Sequence, residues 1–289
     1  MTHFPTRYVR IEGDGLHLHT LVAGEGPPVV LLHGFPENAY SWRHQIPVLA
    51  SAGYSVWVPN LRGYPPSDVS ARRGDYHLRH LVNDVAAIVN ATGHARAHIV
   101  GHDWGGIIAW AFAGAFPDQL GKLVILNAPH MQLYAEKVLQ TSQFFRSSYV
   151  GFFQFPLLPE SVLAAGNFFL LRQMFRRLPA RRATFSEEDI DRYVECLSAP
   201  GALKAALDYY RANMMSGGMK LARTARASGP VLVIWGGKDP SLGTFLLEGM
   251  ERCAPRVRIY PIPRASHWVQ NEAPGEVNRE LLAFLGRPG

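Results

Sequence analysis

The run Gly101-His102-Asp103-Trp104-Gly105-Gly106 sets one acid among small residues. It follows a segment that reads as a strand and opens one that reads as a helix. Small residues two before and two after a central nucleophile make a nucleophile elbow, a turn too tight for side chains at the flanking positions. The central side chain is then held exposed at the strand tip, near the positive end of the helix. Here that residue is Asp103 rather than serine. A carboxylate so placed can attack an sp3 carbon and form an ester, which water then cleaves. A plainer reading is a Gly-rich turn with Asp103 as helix N-cap; the position after a buried strand favours the elbow.

Three other runs suit the same chemistry. His33-Gly34-Phe35-Pro36-Glu37 follows an earlier apolar strand. The Phe35 amide beside that of Trp104 would make a two-donor oxyanion hole, although the run alone is an ordinary Gly-Pro turn. Gly236-Gly237-Lys238-Asp239-Pro240 sets Asp239 at a strand's carboxyl end, where an acid can orient a histidine. Ala265-Ser266-His267-Trp268 comes after the next strand. The order nucleophile, acid, histidine is that of hydrolases with an elbow. His267 would take a proton from water, while Asp239 would fix its tautomer and stabilise the imidazolium. One late histidine among 12 means little; three such residues in this order, each behind a strand, mean far more.

These residues need a scaffold that brings strand ends together. Tyr8–Ile11 and Leu16–Ala23 read as strands joined across Asp14-Gly15, a hairpin dipeptide. Leucines and histidines alternate in the second, so His17 and His19 read as a solvent face rather than metal ligands. Val29–His33 reads as a buried parallel strand, Tyr54–Val58 as the next, and 60–75 as a polar loop. A helix over His77–Thr92 ends at Gly93. Strands at Ala97–Gly101, Leu123–Leu126, Val231–Trp235 and Val257–Ile262 alternate with helices at Gly105–Phe116 and Glu276–Leu285. The fold class is therefore α/β, a mostly parallel sheet flanked by helices, with loops after the strand ends forming one edge where sites assemble. The stretch 131–224 breaks the alternation. Rich in Phe, Tyr, Leu and Arg, it reads as a helical lid, or cap, inserted between two late core strands. The expected domains are a core first part at 1–130, the cap at 131–224 and a core second part at 225–289.

Composition narrows the classes. The chain has 289 residues, 47% hydrophobic and 18% charged, with 27 Gly and 21 Pro in no period. Wholesale disorder and collagen-like repeats are excluded. The charge of +6 is dispersed, apart from Arg172, Arg176, Arg177, Arg181 and Arg182, which read as a solvated, mobile loop face. No nucleic-acid-binding signature accompanies them, so no nucleic-acid partner is expected. The two cysteines, Cys196 and Cys253, cannot make a disulfide framework. The N-terminal MTHFPTRYVRIEGDG lacks an apolar core, and the strongest apolar helix is far short of the roughly 20 residues a bilayer span needs. A cytoplasmic protein with no membrane partner is the expectation.

Taken together, HGFPENAYSWRHQIPVLASAGY, the LRGY loop, GHDWGG, NAPH and SHWVQNEAPGEVN resemble the soluble-type epoxide hydrolases of the α/β-hydrolase fold over nearly the whole length. The resemblance implies hydrolysis of a small apolar epoxide by water to a vicinal diol, with Asp103 as nucleophile, Asp239 as acid and His267 as base. Phe35 and Trp104 would lend backbone amides. It also implies two lid tyrosines that bind the epoxide oxygen. Tyr149-Val150-Gly151-Phe152-Phe153-Gln154-Phe155-Pro156 matches the context of the first. Tyr209-Tyr210-Arg211-Ala212-Asn213 matches the second and selects Tyr210 over Tyr209. No cofactor or metal is implied: no HExxH, Gly-x-Gly-x-x-Gly or P-loop is present, and His94 and His98 are split by the start of a strand. A homodimer stays open. One departure is Pro65, where the family usually has Gly; it should alter that loop locally.

The nearest competitor is a dehalogenase of the same fold, also with an Asp nucleophile. It needs halide-stabilising donors in place of phenols. Phe35 stands where haloalkane enzymes often carry Asn, and Trp104 where fluoroacetate-type enzymes carry Arg. An esterase is disfavoured because the elbow lacks Ser. A ligand-binding protein on an inactive scaffold is disfavoured by the complete triad. The apolar residues of the lid, Met214, Met215 and Met219 among them, suggest an apolar pocket.

Overall fold

The structure is a computed structural model and describes residues 5–140, 142–214 and 217–286. Met215 lies outside the described residues. Eight strands form one sheet: β1 Thr6–Glu12, β2 His17–Ala23, β3 Pro28–Leu32, β4 Ser55–Pro59, β5 Ala97–His102, β6 Leu120–Leu126, β7 Val231–Gly236 and β8 Val257–Ile262. Their spatial order is β1-β2-β4-β3-β5-β6-β7-β8. The first two pairings, β1 with β2 and β2 with β4, are antiparallel, and every later one is parallel.

Strand sequence explains the layering. In β3, Val30 and Leu32 face one apolar layer while Val29 and Leu31 face the other. Such a strand is buried on both sides and so reads as a continuous apolar run. The first layer is filled by α2 (Leu78–Ala91) and α3 (Trp104–Ala115), the second by α1 (Ile46–Ser51) and α12 (Pro274–Leu285). The short α11 (Val269–Glu272) precedes α12. Neither α1 nor α11 is visible in the sequence pattern, because four or six residues cannot show a helical period.

Between β6 and β7 the chain is helical: α4 Met131–Lys137, α5 Gln143–Arg146, α6 Ser148–Phe152, α7 Leu158–Arg177, α8 Glu187–Ser198, α9 Ala202–Asn213 and α10 Lys220–Thr224. This is the segment expected as a lid. Helix α7 is broken in its middle, where Gly166, Asn167 and Phe168 all have positive φ. Helix α9 is almost wholly buried. It is fixed to the sheet side by Tyr209, whose hydroxyl donates to Arg62 O at 2.8 Å. Asn213 adds a second tie, its Oδ1 accepting from Leu78 N at 2.8 Å.

Two expectations change in part. The polar 60–75 loop is exposed at 71–74, but its first part, residues 60–64, is buried. Arg62 is 1% exposed and makes a two-pronged pair with Asp84 at 2.6 and 2.7 Å. Two polar residues that satisfy each other can be interior, which composition alone does not reveal. The arginine cluster is a loop face only at Arg181 and Arg182, which are exposed between α7 and α8. Arg172, Arg176 and Arg177 lie on α7, and the first two pair with Asp191 and Glu187 of α8. At Pro65 the loop still closes on turn bonds, Tyr64 N to Leu61 O and Ser67 N to Tyr64 O. His17 and His19 stand on the partly exposed face of β2, opposite the buried Leu18 and Thr20, and His17 Nδ1 lies 3.0 Å from Asp68 Oδ2. Cys253 is buried, Cys196 is half-buried, and both thiols are free. Among the described residues no helix is long and apolar enough to cross a membrane.

Candidate active site

Asp103 sits between β5 and α3 with φ +50° and ψ −119°. That conformation is costly for a residue with a Cβ and persists only where the surroundings enforce it. The flanking glycines show how. A Cβ on Gly101 would lie 2.2 Å from Gly105 O, and one on Gly105 would lie 2.2 Å from Leu32 O. Only glycine lets β5, α3 and β3 approach so closely, and the turn they form thrusts the Asp103 side chain outward.

The carboxylate is received by the loop after β3. The Phe35 amide donates to Asp103 Oδ1 at 2.9 Å. Of the two backbone donors expected, this one is in contact with Asp103. Trp104 is the first residue of α3, and its indole packs edge-on against Tyr210 at 5.0 Å between ring centroids.

The loops after β7 and β8 bring Asp239 and His267 to the same edge. His267 Nδ1 lies 2.7 Å from Asp239 Oδ2. A carboxylate can only accept, so Nδ1 carries the hydrogen and Nε2 faces Asp103 Oδ2 at 3.6 Å. Burial pushes the imidazole pKa down, but the charge and hydrogen bond of Asp239, then the charges of Asp103 and Glu37, outweigh it and lift His267 to about 9. For Asp239, burial acts to raise the pKa. The His267 charge and hydrogen bond, with bonds from Asn127 and the Ser241 amide, overcome that and hold it below its ordinary value.

Two tyrosines close the site from above. Tyr149 comes from α6 and Tyr210 from α9, with ring centroids 6.0 Å apart. Burial, and then the nearby charges of Asp103 and other groups, push both phenols well above their ordinary pKa. Both stay protonated donors. Tyr209, the neighbour not selected, points instead at the core through its bond to Arg62 O. All five side chains expected from the sequence therefore converge.

Several polar residues around them went unread. Asn127 follows β6, donates to Asp239 Oδ2 at 2.7 Å and accepts from Gly236 N at 2.8 Å. It is the first residue of the NAPH run already singled out, which shows the residue but not this bond. His102 Nε2 donates to the carbonyl of His267 at 2.9 Å. On its other side Nδ1 lies 2.9 Å from Glu37 Oε2, off the line of a good hydrogen bond. Glu272 accepts from the Ser266 amide at 3.1 Å and so braces the residue before His267. Each lies within or beside a motif already singled out, yet partners over a hundred residues away, as for Asn127, leave no local signal.

A cavity of about 330 Å³ opens onto Asp103, His267, Tyr149 and Tyr210, walled by apolar side chains. A larger hollow of about 580 Å³, between Tyr8, Tyr40 and Cys196, contains none of these residues; size alone does not mark the site. Among the described residues no group of His, Cys, Asp and Glu side chains could hold a metal ion.

Comparison with known proteins identifies the fold and the family. The alpha/beta hydrolase fold family matches residues 27–274. The chain is 36% identical over 278 residues to the AB hydrolase superfamily protein YfhM of Bacillus subtilis (strain 168), covering 95% of this chain and 96% of that protein. It is 36% identical over 286 residues to Epoxide hydrolase 4 of Mus musculus, covering 96% of this chain and 79% of that one. Among solved structures, Epoxide Hydrolase A from Mycobacterium thermoresistibile superposes with a TM-score of 0.86 at 30% identity, covering 97% of this chain and 98% of that chain.

Proposed function

This chain belongs to the α/β-hydrolase fold family and, within it, to the epoxide hydrolases; on that premise we propose that it opens an epoxide to a vicinal diol through an alkyl ester on Asp103. The observation that carries the reading is convergence. A carboxylate at a strained turn, a histidine backed by an aspartate and two phenols meet at one apolar cavity.

In this mechanism an Asp103 oxygen attacks an epoxide carbon, and the carbon–oxygen bond of the ring breaks. The departing oxygen is a strong base that leaves poorly without a proton. Tyr149 and Tyr210 hydrogen-bond it and supply that proton. His267 then takes a proton from water, and the hydroxide attacks the ester carbonyl. The Phe35 and Trp104 amides stabilise the oxyanion that forms. Asp239 holds the imidazole in register and stabilises its charge, and Asn127 holds Asp239. Collapse of the tetrahedral intermediate breaks the ester bond, and the departing alkoxide takes the proton carried by the attacking hydroxide. The proton held by His267 returns to the tyrosinate, so epoxide plus water gives diol and every catalytic group is back in its starting state. Residues 131–224 act as the cap that carries the phenols, over a core made of 1–130 and 225–289.

The paired phenols favour epoxide over halide chemistry. A halide leaves as a stable anion and needs no proton, whereas both hydroxyls here are buried donors facing the carboxylate's cavity.

A single turnover in heavy-oxygen water, with enzyme in excess, tests the ester. Water attacks the ester carbonyl, so label is expected in Asp103 while the diol stays unlabelled. Label appearing at once in the diol would mean direct attack by water. Asp103→Ala is expected to abolish turnover, because no other group reaches the elbow position.

A further inference from the structure

Two spaces of very unequal size meet at Asp103, Tyr149 and Tyr210. One is the cavity of about 330 Å³ running past Phe152, Leu163, Leu171 and Met174. The other, lined by Trp104, Ile107, Met131, Met214 and Leu242, holds about 30 Å³. The first is in the range of sites for drug-sized molecules. The second has room for about one water molecule or a methyl group.

The small arm is backed by the stiffest part of the molecule. Trp104 and Ile107 belong to α3, nearly every residue of which is buried, and Ala128 and Met131 beside them are buried too. Interior packing of that kind does not yield to one extra ring. The lining is looser on the lid side, where Tyr134, Val150 and Met214 are half-buried, and Leu242 closes it from the loop after β7. The large arm differs at its far end. Leu170 and Leu178 line it yet are 47% and 42% exposed, so it opens to solvent between them. Along it, apart from Asp103 and His267 at the reacting centre, no charged side chain takes part in the lining.

From this asymmetry we infer that the substrate is an epoxide with one uncharged apolar group of at least aryl size on one ring carbon and nothing larger than hydrogen or methyl on the other. The inference rests on the epoxide hydrolase reading and narrows it. With the oxygen held by both phenols and one carbon facing Asp103, the two ring carbons must send their substituents into different arms. The long arm takes a ring or an alkyl chain, whose end can pass between Leu170 and Leu178. The short arm rejects a second ring.

Three racemic epoxides decide it: styrene oxide, trans-1-phenylpropylene oxide and trans-stilbene oxide, assayed for diol. The first two are expected to be good substrates, and the third to fall by about 100-fold or more in kcat/KM, since a pocket that excludes a whole ring discriminates at least as well as one that excludes a methylene. Met214→Ala and, independently, Leu242→Ala should raise the ratio of stilbene oxide to styrene oxide turnover by about 10-fold. Circular dichroism checks that each variant is folded. Equal turnover of all three by the parent protein would overturn the inference, and so would folded variants that both leave the ratio unchanged. Failure of the underlying reading looks different: no diol from any epoxide. Quenching of tryptophan fluorescence then still reads the two arms, because Trp104 and Trp268 line them. 1-Phenyl-1,2-ethanediol should bind and 1,2-diphenyl-1,2-ethanediol should not; equal binding would refute the shape argument by itself.

Discussion

On the proposed mechanism, ester formation on Asp103 erases one of the charges that keep His267 protonated. In the free protein Asp239, Asp103 and Glu37 together lift the imidazole to about 9, so at neutral pH it is a cation and cannot act as a base. Alkylation of Asp103 removes that carboxylate's charge, and the imidazole pKa must then fall. The first half-reaction thereby makes the base for the second. Decay of the alkyl-enzyme, followed by stopped flow in Trp fluorescence, should show an apparent pKa below the value for His267 obtained by NMR titration of the free protein; equal values would refute this coupling. His267→Gln should still be alkylated but hydrolyse slowly, leaving a substrate adduct on Asp103 in intact-protein mass spectra. The same charge bears on stability. A histidine raised from 6.5 to about 9 adds stability that is complete below pH 6.5 and is lost as pH rises through 9. The whole effect is on the order of 3 kcal/mol at most. Urea titrations at pH 6 and pH 10 should show it in the parent and not in His267→Gln. The two phenols give the other residue-scale expectation. Each of Tyr149→Phe and Tyr210→Phe should lose about 10- to 100-fold in epoxide turnover, in line with removal of one oxygen-stabilising donor. The double variant should lose nearly all, because no acid remains above Asp103. Rings are kept, so the packing of Tyr210 against Trp104 and Phe153 is kept, and circular dichroism should be unchanged. A folded double variant with parental turnover would remove both residues from the mechanism.

At the scale of elements, the strands and long helices were legible because each carries its own period: β3 is apolar throughout, and α2 repeats apolar residues every three or four positions. Asp103, Asp239 and His267 were legible because each lies within a few residues of a strand's carboxyl end. What escaped were elements whose order comes from distant polar partners. The segment 60–64 looks like loop, yet Arg62 reaches Asp84 on α2 and the carbonyls of Asp14 and Asp75. It also lends its own carbonyl to Tyr209 on α9, one residue from Tyr210. Arg62→Leu should cost about 3–5 kcal/mol, chiefly by stranding a buried Asp84 carboxylate. Arg62→Leu with Asp84→Leu should recover part of that loss. Chemical denaturation of the two singles and the double gives the coupling; strictly additive losses would show that the pair is not the source. Turnover should fall in the Arg62 single beyond what unfolding explains, because α9 carries Tyr210.

Across the whole molecule, the helices over the site are held unequally. Helix α9 is tied to the sheet side by Tyr209 and Asn213. It is tied to the α6–α7 turn by Arg211, which donates to Phe153 O at 2.8 Å and Phe155 O at 2.7 Å and pairs with Glu160. Helix α8 is tied through Asp189 and Tyr193, both in contact with Arg43, which also donates to Asn271 Oδ1 at 2.6 Å. The middle of α7 is held more lightly, by the buried Phe168 ring and by the Asn167 carbonyl, which accepts from Arg172 Nε at 2.9 Å. Residues 164–167 are exposed, and Gly166, Asn167 and Phe168 are all left-handed. For a residue with a Cβ that conformation costs roughly 1–2 kcal/mol, and the run interrupts the helical hydrogen-bond ladder. Val162 and Leu163 on one side of this break, and Leu170 and Leu171 on the other, line the 330 Å³ arm. Local opening should therefore be cheapest where the arm has its roof, while the floor at Asp103 stays rigid. Hydrogen exchange read by mass spectrometry should find amides 165–170 exchanging at least about 100-fold faster than those of α9, a gap of some 3 kcal/mol in opening free energy. A diol bound in the arm should slow the α7 amides and leave α9 unaltered. Equal protection of the two helices would mean that the strained turn is as firmly held as the rest, and that substrate enters by another route than the roof.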